Sequence, residues 1–246
     1  SRRRHTRSFH VTGVQTCALP IYTLLEAIRK HKKKLIQIST DEVFGSLKSF
    51  SATEKYPYNP SNPYAASKAA AENLVNSYHI TYGCDIITTR CTNNYGPRQS
   101  PEKLIPKTIL LASKDKKIPI YGTGKNIRDW IFVLDHCDAI LKILFKGKSG
   151  ESYNISANNE LDNLTIVKKI LDIMDKPNSL IEFISDRPGH DFRYSLDSKK
   201  IRRKLSWKPS YKFEEGLMHT IEWYLQNKKW HKHISNDMFR TFWKTR

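Results

Sequence analysis

The sequence predicts an α/β protein with a parallel β-sheet, because apolar strands alternate with helices along the chain. Residues 34–39 form a nearly continuous apolar run, as expected of a parallel strand buried on both faces. Helices are predicted before and after this strand, over 22–32 and 63–82, and a second apolar strand follows at 85–90. Such alternation is typical of a parallel sheet covered by helices.

The segment ahead of the first helix differs in character from the rest. Residues 1–21 are rich in arginine, contain no acidic side chain and show no helical or strand period. A targeting peptide is one interpretation, but an apolar core of the secretory type and an amphipathic pattern are both missing. We expect this segment to be non-native sequence joined to a helix that begins at Tyr22.

Two irregular segments lie next to the predicted strands. Residues 41–62 form a long loop rich in Ser, Pro and Asn, and long loops in compact domains tend to be functional. Pro63 then suits the first turn of the following helix. Residues 93–97 form a turn cluster just beyond the carboxyl end of the second strand, the edge at which open parallel sheets bind ligands.

The second half of the sequence continues the alternation with shorter elements and polar loops. Helices are predicted over 103–114, 135–145, 164–174, 197–204 and 213–227, strands over 117–121, 128–133 and 153–155, and a turn at 122–124. This part is interpreted as a smaller substrate-binding lobe. No internal repeat is visible.

Composition narrows the class of protein. The chain has 246 residues, enough for one large domain or two small ones, and no run of eighteen apolar residues, so no membrane span is expected. Its cysteines are widely spaced without a C-x-x-C pair: Cys17, Cys84, Cys91 and Cys137. This spacing favours neither a disulfide framework nor a metal site, and it indicates a reducing, cytoplasmic compartment.

The net charge of +18 raises the possibility of a nucleic-acid partner. The lysines are dispersed, however, and no RNA-binding or zinc-finger signature accompanies them. A solvated basic surface that attracts an anionic, phosphate-bearing substrate explains the charge better. We therefore expect no nucleic acid and no membrane as partner.

Tyr64 and Lys68 lie four residues apart at the start of a predicted helix, so they share one face. A free tyrosine has a pKa of about 10, and a nearby ammonium lowers it by favouring the phenolate. A surface tyrosine with an unrelated lysine is the alternative, and the bare spacing alone would favour it. The position of the pair, one loop after a cluster of acids, favours a catalytic base instead.

Thr40, Asp41 and Glu42 follow the first buried strand. Adjacent acids often cap a turn, which is one interpretation of them. The other is chemical, because two neighbouring carboxyls have their pKa values pushed apart, so that one acts as an acid and the other as a base. The three side chains and Tyr64 together predict proton transfer on an oxygenated substrate.

These two segments resemble the active site of the nucleotide-sugar 4,6-dehydratases, which belong to the extended short-chain dehydrogenase/reductase superfamily. The resemblance covers Tyr22 to about Trp230. It implies a Rossmann-like doubly wound parallel sheet with a smaller C-terminal substrate-binding lobe, and an NAD-dependent lyase that forms homodimers. It also implies NAD as cofactor and dTDP-glucose, or a similar nucleotide sugar, as substrate.

The resemblance assigns a role to each candidate residue. Tyr64 takes the proton of the sugar O4 as hydride leaves C4, Glu42 removes the C5 proton, Asp41 protonates the departing C6 hydroxyl, and Thr40 orients O4. Lys68 assists Tyr64, and both contact the cofactor together with Asn94. Implied contacts with the nucleotide sugar are Asn93, Lys103, Leu104, Pro119, Tyr121, Arg128, Asn163 and His190, the last in the loop 186–190.

Alternatives to these roles stay open at the level of sequence. Asn163 could instead cap the helix over 164–174, and Gly189 could serve only a turn. Related epimerases and decarboxylases usually carry Ser-Ser or Ser-Thr in place of Thr40 and Asp41, so the acidic pair favours dehydration over these NAD-dependent reactions. A basic nucleic-acid-binding protein and an inactive truncation are the remaining hypotheses.

No glycine-rich turn of the form G-x-G-x-x-G occurs in the sequence. We therefore expect the doubly wound sheet to lack its first strands, strand 34–39 to have an exposed edge, and the chain alone to be inactive. In terms of domains, 22–97 and 128–157 are predicted to be the remainder of the NAD-binding domain. The nucleotide-sugar-binding lobe is predicted to comprise 98–127 and 158–246.

Overall fold

The computed structural model describes residues 18–228 and Trp230. Helix α1 (Ala18–His31) begins upstream of the predicted start at Tyr22. Ile21 is buried in the apolar cluster that α1 forms with a neighbouring helix, so the last part of the segment 1–21 belongs to the fold. The proposed non-native origin of the preceding residues, like Cys17, falls outside the described part.

Three parallel strands form the main sheet in the order β1-β2-β6: β1 (Leu35–Thr40), β2 (Ile86–Cys91) and β6 (Ser152–Ile155). Thr40 lies opposite Cys91, and Cys91 lies opposite Ile155, so the three carboxyl ends meet at one edge. Within the described residues β1 is the outer strand, as predicted.

Helices cover both faces of this sheet. Helix α2 (Pro63–Tyr82) packs with α1 around Ile86, whereas α4 (Val133–Lys146) packs around Ile87. Successive strand residues point to opposite faces, so the two helical layers lie on opposite sides. The predicted doubly wound α/β architecture is thereby confirmed.

A second, mixed sheet has the order β3-β5-β7: β3 (Asn93–Tyr95), β5 (Ile127–Phe132) and β7 (Glu160–Asp162). The predicted turn at 93–97 is wrong in its first part, because Asn93–Tyr95 pairs in parallel with β5. Tyr95 is buried there against Phe132 and Phe213, and this packing holds the segment extended.

The smaller lobe contains a two-stranded parallel sheet of β4 (Ile118–Tyr121) and β8 (Ile181–Ile184). Its helices are α3 (Leu104–Ala112), α5 (Asn163–Ile173) and α7 (Phe213–Gln226). Helix α6 (Lys199–Leu205) instead packs against the main sheet beside β6, so the predicted lobe 158–246 is wrong in this part. The sequence pattern did not indicate β7 or β8. Both are short, and half-exposed residues interrupt their apolar pattern.

Helix α7 approaches the second sheet closely at Gly216. A Cβ atom at this position would lie 2.5 Å from the Tyr95 hydroxyl and 2.9 Å from the ring of Phe132. Glycine lowers helix stability by about 1 kcal/mol relative to alanine. Close packing of α7 against the end of β3 is what requires it here.

A buried ion pair anchors the long loop before α2. Arg90 of β2 donates from Nη2 to Glu72 Oε2 of α2 at 2.5 Å, and both side chains are almost fully buried. The Tyr58 hydroxyl donates to the same oxygen at 2.8 Å, and the Phe44 ring lies 4.9 Å from the guanidinium carbon. Tyr58 and Phe44 therefore hold the long loop before α2 against α2 and β2.

No helix in the described part of the chain is long and apolar enough to cross a membrane.

Candidate active site

The carboxyl end of β1 turns directly into a short 3₁₀ helix, Asp41–Phe44. Thr40 caps this turn: its Oγ1 accepts from the Glu42 amide at 3.3 Å and donates to Asp41 Oδ1 at 3.1 Å. Thr40 thus caps the turn, a role that was the alternative interpretation of Asp41 and Glu42. Both carboxyls lie at the first turn without serving as its cap.

The Asp41 carboxyl is buried, with only 5% of the residue exposed. Burial, followed by the neighbouring charge of Glu42, raises the pKa of Asp41 to about 7, although Arg128 opposes the shift. Its Oδ2 has no hydrogen-bond partner among the described residues. A carboxyl with this pKa holds a proton in a large fraction of molecules at neutral pH, as a general acid requires.

The Glu42 carboxylate accepts from Asn62 and lies close to the Tyr194 hydroxyl. Asn62 Nδ2 donates to Glu42 Oε2 at 3.2 Å, and the Tyr194 hydroxyl lies 3.5 Å from the same oxygen. Asn62 also caps α2, because its Oδ1 accepts from the Ala65 amide at 2.9 Å. One amide side chain therefore links Glu42 to the helix that carries Tyr64.

Tyr64 and Lys68 lie in the first turns of α2, as predicted. The Tyr64 residue is 39% exposed, so its side chain borders solvent. Lys68 Nζ donates to the Ile38 carbonyl oxygen of β1 at 2.7 Å. Lysine thereby ties the helix to the strand that ends at Thr40, and it places the start of α2 beside the acidic turn.

Asn93 and Asn94 follow the carboxyl end of β2 and form the start of β3. Asn94 Nδ2 donates to Cys91 Sγ and to the Thr92 carbonyl oxygen, each at 3.3 Å. Its buried Oδ1 has no partner within residues 18–228. This oxygen is an open acceptor at the sheet edge where ligands of parallel sheets bind.

Arg128 of β5 is buried near the acidic turn. Its guanidinium donates to the carbonyl oxygens of Asp191 at 2.8 Å and Phe192 at 3.2 Å, and it lies 4.3 Å from the centre of the Tyr194 ring. Burial lowers the pKa of Arg128, while Tyr194 and Asp41 oppose the shift. A planar fork of donors in this position suits a diphosphate.

The loop 186–190 meets β4 close by. His190 Nδ1 lies 2.7 Å from Asp186 Oδ1, and its ring is in edge contact with Tyr121 at 6.4 Å. Burial lowers the pKa of His190 against the opposing hydrogen bond from Asp186. Gly122 is required beside this pair, since it has a φ of +56° and a Cβ there would lie 2.9 Å from the Asp186 carboxylate.

The remaining residues predicted to contact the nucleotide sugar lie in the smaller lobe. Asn163 is the first residue of α5 and not its cap; Asp162 performs the capping, with its Oδ1 accepting from the Thr165 amide at 2.8 Å. The alternative that Asn163 serves as the cap is therefore wrong. Lys103 pairs with Glu102 at 3.3 Å just before Leu104 begins α3, and Pro119 is half-buried in β4.

Sequence reasoning missed four residues of the site: Ser61, Asn62, Asp191 and Tyr194. Asn62 carried a usable signal, because asparagine directly before Pro63 is a typical helix N-cap. The other three carried none. They enter the site through contacts between segments that are distant along the chain, such as the bond from the Ser61 hydroxyl to the Asp191 carboxylate.

The site combines a doubly wound sheet, a Thr-Asp-Glu turn at the end of β1 and a Tyr-x-x-x-Lys helix beside that turn. These features define the class as an extended short-chain dehydrogenase/reductase. Comparison with known proteins narrows this class. The family model described as GDP-mannose 4,6 dehydratase matches residues 6–220.

Relatives with similar sequences are dTDP-glucose 4,6-dehydratases. The protein from Xanthomonas campestris pv. campestris (strain ATCC 33913) is 43% identical over 92% of this chain and 70% of its own length. Dehydratase 1 of Escherichia coli K12 is 42% identical over 93% of this chain and 71% of its own length. The chain thus spans about 70% of the length of these relatives.

Solved structures agree with the sequence relatives. The dTDP-glucose 4,6-dehydratase of Bacillus anthracis, in complex with NAD, is 44% identical with a TM-score of 0.86 over 89% of this chain and 70% of that protein. The Streptomyces venezuelae enzyme, with NAD and TDP bound, is 42% identical with a TM-score of 0.86 over 87% of this chain and 67% of that protein. The chain belongs to the nucleotide-sugar 4,6-dehydratase family of NAD-dependent hydro-lyases.

Proposed function

We propose that this chain carries the sugar-processing site of an enzyme that converts dTDP-glucose into dTDP-4-keto-6-deoxyglucose. The observation that carries the proposal is the contrast between two adjacent carboxyls. Asp41 is buried with a pKa raised to about 7, whereas one oxygen of Glu42 accepts from Asn62 and lies 3.5 Å from the Tyr194 hydroxyl. Elimination of water needs one acid and one base on the same substrate, and this pair supplies both.

The proton transfers assigned to the pair balance the loss of water. Glu42 takes the C5 proton, the C6–oxygen bond breaks, and Asp41 gives its proton to the departing hydroxyl. Thr40, whose hydroxyl lies between the amide of Glu42 and the carboxyl of Asp41, orients the sugar O4 toward Tyr64. Lys68 supports Tyr64 from the next turn of α2.

The residues present fit NAD beside this turn. Tyr64 and Lys68 at the start of α2, and the unpartnered Oδ1 of Asn94 within the described chain, are the groups that would contact the cofactor. When bound, NAD supplies a hydride acceptor for C4 and returns the hydride at C6. The side chains of this chain do the rest: they orient the sugar and move its protons.

The nucleotide is proposed to bind along β5, β4 and the loop 186–190. Arg128 would exchange its two carbonyl contacts with the loop for oxygens of the diphosphate, because a guanidinium binds phosphate oxygens in a bidentate manner. The further contacts proposed for the sugar and base are Asn93, Lys103, Leu104, Pro119, Tyr121, Asn163 and His190.

The proposal extends to assembly and location. We propose a homodimer, and large apolar side chains exposed on α1 and α2 support it: Tyr22 at 54%, Leu24 at 43% and Ile80 at 73%. We also propose the cytoplasm as its location, in line with the free thiols of Cys84, Cys91 and Cys137.

The variant Asp41→Asn tests the function. Turnover of dTDP-glucose is measured in the 246-residue chain and in a fusion that adds the part of the Xanthomonas relative outside the aligned region. In an active protein, Asp41→Asn should slow formation of the 6-deoxy product by about 100-fold or more, because general acids contribute that much.

The variant Asp138→Asn is the control, because it makes the same chemical change at an exposed position of α4. Unchanged product formation in Asp41→Asn would refute the role of this acid. A product that keeps its C6 hydroxyl and differs only in C4 configuration would favour an epimerase instead.

A further inference from the structure

Two hydroxyl groups from distant segments converge on one oxygen of Asp191. The Tyr194 hydroxyl donates to Asp191 Oδ2 at 2.5 Å, and the Ser61 hydroxyl donates to the same atom. Ser61 belongs to the loop just before α2, whereas Asp191 and Tyr194 follow the loop 186–190. Hydrogen bonds to a carboxylate are stronger than those between neutral groups, so this contact joins the two loops firmly.

The main chain of Asp191 faces the nucleotide end of the site. Its carbonyl oxygen accepts from Arg128 Nη2 at 2.8 Å and from Asn126 Nδ2 at 3.2 Å. The Arg128 guanidinium also lies over the Tyr194 ring. A single residue therefore orients the arginine through its backbone and the tyrosine through its side chain.

The same contacts lead to Glu42 at the sugar end. Tyr194 lies 3.5 Å from Glu42 Oε2, and Asn62, the neighbour of Ser61, donates to that oxygen at 3.2 Å. Burial and the nearby carboxylates of Glu42 and Asp191 raise the pKa of Tyr194, so its hydroxyl stays a donor. The donor to Glu42, Asn62, and the hydroxyl that lies beside it, Tyr194, thus belong to segments that bond to the Asp191 carboxylate.

We propose that Asp191 is a positioning residue that couples occupancy of the nucleotide end to the placement of the Glu42 carboxylate. The inference rests on the proposed function, which takes Arg128 as the diphosphate ligand and Glu42 as the base. In this proposal, a diphosphate that binds the guanidinium shifts the bond from Arg128 to the Asp191 carbonyl. That movement reaches Glu42 through the Asp191 carboxylate, along Tyr194 on one branch and Ser61–Asn62 on the other.

This coupling explains a need of the reaction. The base should reach its catalytic position only when the sugar is fully bound, because without bound sugar there is no C5 proton for it to remove. A carboxylate whose donors tighten when the diphosphate arrives meets that need, since two sites share one set of contacts whose arrangement both influence.

The experiment uses the 246-residue chain labelled with ¹³C at glutamate side-chain carboxyls. The Glu42 resonance is assigned by its absence in Glu42→Gln, and dTDP is added while calorimetry measures affinity. In the wild-type chain the resonance should move as dTDP saturates the protein. In Asp191→Asn most of that movement of the Glu42 resonance should vanish. The dissociation constant for dTDP should stay within about threefold, because the contact between Arg128 and residue 191 uses the main-chain carbonyl, which the substitution keeps.

Tyr194→Phe is the second variant, and it keeps the ring beneath Arg128 while removing the hydroxyl. It should remove the part of the movement that passes through Tyr194, and so give a smaller shift than the wild type, even if Asp191→Asn folds poorly. Asp138→Asn changes one exposed carboxylate on α4 and should behave as the wild type.

Three outcomes oppose the inference in distinguishable ways. A Glu42 resonance that moves normally in both Asp191→Asn and Tyr194→Phe would show that no coupling passes through these groups. Loss of dTDP binding together with a fall in melting temperature in both variants would make Asp191 a structural residue only. A wild-type chain that does not bind dTDP would overturn the nucleotide end itself, and with it the proposed function.

Discussion

The two ends of the site differ in how far apart along the chain their parts lie. At the sugar end, Thr40, Asp41 and Glu42 are consecutive, and a single 3₁₀ turn arranges them. At the nucleotide end, Arg128 bonds to Asp191 and Phe192, which are 63 and 64 positions away. The first end depends on local backbone geometry, and the second depends on how separate segments pack.

This difference decides which perturbations each end tolerates. The sugar end follows strand β1 of the main sheet, next to the buried ion pair of Arg90 and Glu72. A change in that ion pair should therefore affect the stability of the protein first. The nucleotide end is held by hydrogen bonds between loops, so a change there should act on ligand contacts first. Three substitutions at the sugar end and in the buried ion pair next to it test the part of this expectation that concerns the sugar end.

The largest effect on stability is expected from Glu72→Gln. Removal of one partner leaves the Arg90 charge buried and uncompensated, which should lower the free energy of unfolding by about 3–5 kcal/mol. Urea denaturation measures the change. The matched control is Glu214→Gln, which breaks an exposed pair with Lys169 and should cost less than about 1 kcal/mol. Similar losses in the two variants would contradict a special anchoring role of the buried pair.

An intermediate effect is expected from Asp41→Asn, with a sign set by pH. The folded-state pKa of Asp41 is raised from 3.8 to about 7, so its contribution to stability is fully present below pH 3.8 and is lost as the pH rises through 7. The variant removes this loss and should be more stable than the wild type at pH 8 by about 2–4 kcal/mol. Thermal melting of both proteins at pH 4 and pH 8 measures this. A stability difference between variant and wild type that is the same at both pH values would contradict the raised pKa of Asp41.

The smallest effect on stability is expected from Asn62→Ser. Serine caps a helix about as well as asparagine, so the free energy of unfolding should change by less than about 0.5 kcal/mol. The donor to Glu42 is lost, however, and turnover in the fusion with the Xanthomonas segment should fall by about tenfold or more. Asn62→Asp, which keeps the cap but brings a carboxylate to Glu42, should also lose turnover. Normal turnover in both variants would remove Asn62 from the site.

The fold was predictable where the apolar pattern was long. Strands β1 and β2 and helix α2 were predicted to within about two residues, because each has a sustained pattern and the helix has a clear start at Pro63. The short strands β7 and β8 were missed, since three or four half-exposed residues carry no recognisable period. Asn93–Tyr95 was taken for a turn because its asparagines favour turns, whereas burial of Tyr95 makes it a strand.

The sequence predicted those parts of the site whose residues lie close together along the chain. The Thr40–Glu42 turn and the Tyr64–Lys68 helix could be placed together because the first follows a buried strand and the second begins the next helix along the chain. The roles of Asp191 and Tyr194 could not be inferred, because nothing in their neighbourhood indicates that Ser61 and Glu42 lie beside them. Contacts of this range depend on the packing of whole lobes, which no short window of sequence encodes.

The glycine of α7 has a consequence for how this protein can change over time. At Gly216 every other residue would press on Tyr95, which ends the short strand that begins with Asn93 and Asn94. Larger residues would push the helix outward and shift that strand together with its asparagines. Packing therefore restricts substitution at Gly216 more than at the exposed positions of α7, such as Met218 and Leu225.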